Sequence, residues 1–263
     1  MDQFDPHRKV RDRLPQEVLR KKELLSVESL KEPIKKIVKE LQEDFEDGAY
    51  SVIIGEDASG RIPARILGRI AAEFSRRGGN NPPLMRYIAG STRLWPRGRL
   101  NKTRLVADQL RKVRETLVKE GREPAKVLVV TEAMASGLSM KVILDGLHEI
   151  GWDGDIATVG IESESPKSRA SHYEESMHTK VVFGMRGTPE IYTKGKKLSG
   201  VRKKSRDLFA KPDKRTFFHS PAPVEKQRAA RDVADDVAYQ ILDELSHDSG
   251  VQEEHPNEFR SVI

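Results

Sequence analysis

Residues 127–147 read VLVVTEAMASGLSMKVILDGL, and the reading of this stretch decides the fold. Residues 127–130 are four apolar side chains in a row, the pattern of a strand covered on both faces. A polar turn follows, and a helical pattern of apolar residues then runs over 140–150. A strand that passes through a glycine turn into a helix leaves backbone N–H groups and the positive end of the helix dipole at that turn. In residues 135–139, two hydroxyls (Ser136 and Ser139) and Gly137 lie at the helix start, a composition that would enclose a terminal phosphate monoester. Glu132, expected at the carboxyl end of the strand, would accept hydrogen bonds from sugar hydroxyls. An acid at a strand end, just ahead of a phosphate cup, is the arrangement that a ribose 5-phosphate needs.

A second stretch of the same type lies upstream. Residues 51–71, SVIIGEDASGRIPARILGRIA, again join an apolar strand to a helix through a glycine loop. Gly55 and Gly60 have P-loop spacing, but the next two positions are Arg61 and Ile62 where that loop needs Lys and Ser or Thr. Ile62 offers no oxygen to magnesium, and Glu56 and Asp57 would sit against a triphosphate. A nucleoside triphosphatase is therefore disfavoured. The dinucleotide motif G-x-G-x-x-G is absent.

Outward from these two turns, further apolar runs occur at 84–90 and 155–161, with a weaker one at 180–184. Helical patterns fall at 24–45, 62–74, 105–119 and 140–150. Alternating strands and helices, with strands that are nearly all apolar, predict an α/β parallel sheet with helices on both faces. The predicted organisation is a flexible segment at 1–21 and a core at 22–186. A basic segment and C-terminal helix follow at 187–247, packing on or extending the core, and then a disordered tail at 248–263. No internal repeat is present.

The 127–139 stretch resembles the signature of the type I phosphoribosyltransferases: four apolar residues, two acids, two mostly apolar residues, a small residue, Thr or Ser, Gly, any residue, and Thr or Ser. The match runs without a gap, with Thr131 and Glu132 in the acid positions. The resemblance implies a Rossmann-like phosphoribosyltransferase core over about residues 22–186. It also implies an activity, the transfer of a phosphoribosyl group from phosphoribosyl pyrophosphate to a base or amine with release of pyrophosphate. Ala135, Ser136, Gly137, Leu138 and Ser139 would bind the 5-phosphate, and Thr131 and Glu132 the ribose. The first loop is similar to that of the amidophosphoribosyltransferases, so Ala58, Ser59, Gly60 and Arg61 would face pyrophosphate. A mobile loop closes over the reaction in this family. Residues 91–104, with Arg93, Arg97, Arg99, Lys102 and Arg104 and no acid, occupy its place. Arg97, Arg99 and Lys102 would then act on the leaving group beside Glu132. Mg2+ would bridge diphosphate and ribose hydroxyls, with Glu132 as its one protein contact, and a homodimer is implied by analogy.

The chain departs from the family at three places. Thr131 stands where the first acid belongs, which removes one ribose-binding carboxylate. Leu138 replaces a frequent second glycine. Ala135 stands where relatives acting on 6-oxopurines carry Asp, which disfavours that substrate class.

The formal net charge of +6 on 263 residues invites anionic partners. Residues 194–206, KGKKLSGVRKKSR, hold no acid and fit either a solvated loop or a nucleic-acid surface. A non-catalytic relative that senses the same ligand or a nucleotide and binds nucleic acid is thus the alternative function. A purely structural α/β domain is the third reading. Cysteine is absent, which excludes disulfides and thiolate chemistry. The seven histidines show no metal-ligand spacing. Trp152, between Gly151 and Gly154, is expected to anchor a turn, and Trp95 is open to stacking on a base or to local packing. With no signal-type h-region in residues 1–16 and no membrane-length apolar run, a cytoplasmic protein is expected.

Overall fold

The computed structural model describes residues 24–56, 59–90, 99–189, 201–202, 211–212 and 222–248. After a helical turn at 24–28, the elements are α1 (Lys31–Glu46), β1 (Tyr50–Glu56), α2 (Arg61–Arg77), β2 (Leu84–Ile88), α3 (Arg99–Lys119), β3 (Lys126–Met134) and α4 (Leu138–Glu149). They continue with β4 (Gly154–Ile161), α5 (Pro166–Met177), β5 (Val181–Arg186), the two-residue strands β6 (Val201–Arg202) and β7 (Lys211–Pro212), and α6 (Ala222–Asp248).

Five strands form one parallel sheet in the order β2-β1-β3-β4-β5. The expectation of a parallel sheet with helices on both faces holds. Every residue of β1 and of β4 is buried, as strands covered on both sides require. Right-handed crossovers account for the layers. The step from β1 to β2 runs one way along the sheet and places α2 on one face. The later steps run the other way and place α3, α4 and α5 on the opposite face. The two apolar clusters follow this division. One gathers Ile34, Ile37, Leu41, Ile66, Leu67 and Ile70 of α1 and α2 against Ile53, Leu128 and Val130. The other packs Val106, Leu110, Ile143, Leu144 and Tyr173 of α3, α4 and α5 against Val52, Ile54, Val127 and Val129.

The last helix belongs to the first cluster. Ala230, Ala234, Val237, Ala238, Ile241 and Leu245 are buried at spacings that keep them on one face of α6. Asp235 of α6 accepts bidentate hydrogen bonds from Arg65 at 2.7 and 2.7 Å, and it also pairs with Arg69. Glu244 bridges Lys31 and Lys35 at 2.5 and 2.6 Å, which ties the same helix to α1.

Trp152 is buried and its indole N–H donates to the Ala125 carbonyl at 2.5 Å, the turn-anchoring role expected of it. At the amino ends of the strands the Tyr50 hydroxyl donates to Asp155 at 2.9 Å, and Lys126 approaches the same carboxylate at 3.5 Å. Among the described residues no helix is long and apolar enough to cross a membrane.

Candidate ligand site at the carboxyl ends of β1 and β3

The chain reverses its direction of travel along the sheet between β1 and β3. Such a switch point opens a crevice outside the carboxyl ends of the two strands, where open α/β sheets bind ligands. Both glycine turns lie there.

The first turn leaves β1 at Glu56. The Gly60 N–H donates to the Glu56 carbonyl at 2.8 Å, and the Ser59 hydroxyl lies 2.7 Å from Glu56 Oε2. A Cβ on Gly60 would fall 2.3 Å from the Glu56 nitrogen and 2.4 Å from the Val130 carbonyl oxygen. Only glycine lets this turn lie directly on β3. Arg61 opens α2, with its guanidinium carbon 4.4 Å from the centre of the Tyr87 ring. Of the four residues expected to face pyrophosphate, Ala58 lies outside the described residues. Gly60 and Arg61 stand at the helix start. Ser59 gives its hydroxyl to Glu56, an internal use that the sequence did not suggest.

The second turn follows β3. Gly137 has φ +69° and is the N-cap of α4, and Lys141 N–H donates to its carbonyl at 2.9 Å. The positive φ is the reason for glycine here. Ala135 and Ser136 are exposed, Leu138 is half exposed, and Ser139 is partly exposed, so the turn presents its polar groups outward. The chain leaving β2 passes close by, since a Cβ on Gly90 would lie 2.3 Å from the Ser139 carbonyl oxygen.

Helix α5 buttresses this turn from behind. Tyr173 OH donates to the Ala135 carbonyl at 2.5 Å, and Arg169 reaches Tyr173 OH at 3.0 Å and the same carbonyl at 3.4 Å. A Cβ on Gly137 would meet Met177 and Tyr173, at 2.8 and 3.1 Å. Neither Arg169 nor Tyr173 was singled out in the sequence. The signals were Ser165-Pro166, a helix-start dipeptide, and the spacing of Ala170, Tyr173 and Met177 on one face.

Glu132 departs from its expected placement. The strand was expected to end beside it, but β3 continues through Met134 because β4 pairs with it at Ala133↔Gly160 and Met134↔Ile161. Glu132 is therefore inside a strand and only 2% exposed. Among the described residues its Oε1 has no hydrogen-bond partner. Burial, with the nearby Glu56 carboxylate adding to it, pushes its pKa up to about 8. The register pairs Gly55 with Val130, which brings the next residue of β1, Glu56, beside Thr131 and Glu132. Thr131 is buried and aligned with Thr158. Glu56 of β1 thus brings a second carboxylate beside Glu132.

The basic lid is corrected in part. Residues 91–98, including Arg93, Trp95 and Arg97, lie outside the described residues. Arg99, Lys102 and Arg104 belong to α3, not to a loop. Lys102 is fully buried and Arg104 is exposed. The reason is the packing of α3 on α4: Gly146 leaves room for Val106 and Ala107, whose approach draws this end of α3 into the core. Of the 194–206 segment only Val201 and Arg202, paired with β7, are described.

Among the described residues no group of three or more His, Asp or Glu side chains is placed to hold a metal ion. Compared with protein-family models, with curated proteins and with solved structures, the chain matches none.

Proposed function

We propose that the crevice binds phosphoribosyl pyrophosphate or a nucleoside monophosphate, and that the protein is a phosphoribosyltransferase of type I architecture acting on a base or amine. One observation carries this reading: two glycine turns, each at a helix start, meet at the switch point beside the buried carboxyl group of Glu132, whose Oε1 has no hydrogen-bond partner among the described residues. The α4 turn offers backbone N–H groups with the Ser136 and Ser139 hydroxyls to a phosphate monoester. Among the described residues Glu132 Oε1 lacks a donor, and a sugar hydroxyl would supply one. The α2 turn offers its own helix start and Arg61 to a diphosphate.

The donor set fits magnesium only together with the ligand. With no three-residue protein cage among the described residues, the ion would be held by diphosphate and sugar oxygens, and Glu132 and Glu56 are the carboxylates that would face it. It would supply neutralisation of the leaving diphosphate. Deprotonation of Glu132 would accompany its arrival, since a cation favours the charged carboxylate.

Calorimetric titration of the full chain with phosphoribosyl pyrophosphate and Mg2+ tests the proposal, followed by pyrophosphate release in the presence of candidate bases and amines. Saturable binding is expected, weakened by about 1–2 kcal/mol in Ser136→Ala or Ser139→Ala and lost further in Glu132→Gln. Gly137→Val is a poor probe, because its backbone angle and its contacts with Met177 and Tyr173 would distort the turn itself. Wild-type protein that gives no heat with this ligand and Mg2+ would refute the proposal.

A further inference from the structure

Beside the α4 turn stands a cation that the fold holds in place and does not neutralise. Arg169 of α5 donates from Nε to the Tyr173 hydroxyl at 3.0 Å and from Nη2 to the Ala135 carbonyl at 3.4 Å. Its guanidinium carbon lies 5.0 Å from the centre of the Tyr173 ring, one helical turn further along α5. Tyr173 is itself fixed. It is buried, its hydroxyl donates to the same Ala135 carbonyl at 2.5 Å, and a Cβ on Gly137 would come within 3.1 Å of its ring. The fork of Arg169 is therefore pinned to the carbonyl just ahead of Ser136 and of Gly137, the N-cap of α4.

Bracing the turn does not explain an arginine here. A brace on the Ala135 carbonyl needs one donor, and Tyr173 supplies it at the shorter distance. Both partners of Arg169 are neutral oxygens, and among the described residues it forms no ion pair. By contrast, Arg65 and Arg69 are both held by the Asp235 carboxylate. A guanidinium carries five N–H donors, and Nη1 of Arg169 has no acceptor among the described residues. The α4 start adds donors of its own. Its first turn holds no acid, and the N–H groups of Leu138, Ser139 and Met140 precede the bond that Lys141 makes to the Gly137 carbonyl. A carboxylate has two oxygens to meet such a set, whereas a phosphate monoester has three and carries more charge.

We propose that Arg169 is a binding residue of the α4 turn, donating from Nη1 to a phosphate monoester seated there and making the turn select that group over a carboxylate. This rests on the reading of the turn as a phosphate cup. It adds to that cup a charged donor from α5.

The test uses the full chain labelled with 15N and follows the Nε–H signal of Arg169, identified by its loss in Arg169→Lys. Ribose 5-phosphate, ribose and succinate are titrated separately, at ionic strength matched with sodium chloride. Ribose 5-phosphate should move the signal saturably, and ribose and succinate should not. This shift is read on the wild type, so it stands even if a variant is destabilised. By calorimetry, Arg169→Gln should bind ribose 5-phosphate about tenfold or more weakly, the scale of one charge-assisted hydrogen bond. Arg169→Lys returns the charge without the planar fork and should restore part of the affinity. If the signal stays still, or Arg169→Lys binds no better than Arg169→Gln, Arg169 only braces the turn and the proposal falls. Wild-type affinity in Arg169→Gln overturns it as well, and leaves the phosphate cup standing. An equal response to succinate overturns the choice of phosphate. Wild-type protein that binds no ribose 5-phosphate removes the cup itself, and this inference with it.

Discussion

Glu132 is the residue at which folding and ligand binding meet. It is sealed in a strand beside Glu56, and its folded pKa of about 8 exceeds the ordinary value of 4.5. Between these values the folded chain holds a proton that the unfolded chain has released. Stability should therefore fall as pH rises from about 4.5 to about 8, by on the order of 1.4 kcal/mol per unit where the slope is steepest. Below that window the full stability is present, and above it the loss is constant. Glu132→Gln removes the titrating group and should flatten this part of the profile, making the variant more stable than wild type at neutral pH. Urea unfolding of both proteins across the window measures it, and equal slopes would show that Glu132 is not the group responsible. The residue's importance was legible in the 127–139 stretch. Its burial and its pairing with Glu56 were not, because both depend on β4 and β1, which are distant in the chain.

At the scale of elements, α5 and α6 show how a helix can be essential without being conspicuous. Only Ala170, Tyr173 and Met177 of α5 are buried, too few for a strong periodic signal, yet Tyr173, Met177 and Arg169 support the α4 turn. Helix α6 is anchored at the Arg65–Asp235–Arg69 junction, where the Asp235 side chain is 16% exposed and Arg65 and Arg69 are 33% and 41%. Partial exposure screens this junction, so Asp235→Ala should cost about 1–2 kcal/mol, less than a fully buried charge pair. The shift of the urea midpoint at unchanged slope gives the value. A change indistinguishable from zero would mean that α6 is held by its apolar face alone.

For the whole molecule, the question is whether the sheet stands without its last helix. Val237, Ile241 and Leu245 of α6 lie in one cluster with Ile66, Leu67 and Ile70 of α2. A chain shortened to residues 24–189 should expose that α2 face as a contiguous apolar patch, bind a hydrophobic dye strongly and self-associate. Sedimentation and dye fluorescence of the shortened chain report this directly. A monomeric, cooperatively unfolding product with no dye response would show that α6 is an accessory and not part of the core. Full-length protein gives the reference for both measurements.

The sequence by itself determined the alternation of strand and helix, the apolar strands that demand cover on both faces, and the two glycine turns. These are local properties, written in spacings of two and of about four residues and in the conformational needs of glycine. Tertiary structure alone decided the strand order, and with it the meeting of the 59–61 and 135–139 turns at one switch point. It also decided that Glu56 stands beside Glu132 and that Lys102 is buried in α3 instead of lying in a loop. Each of these depends on which distant surfaces bury one another and on the handedness of the crossovers, so no window of sequence contains them.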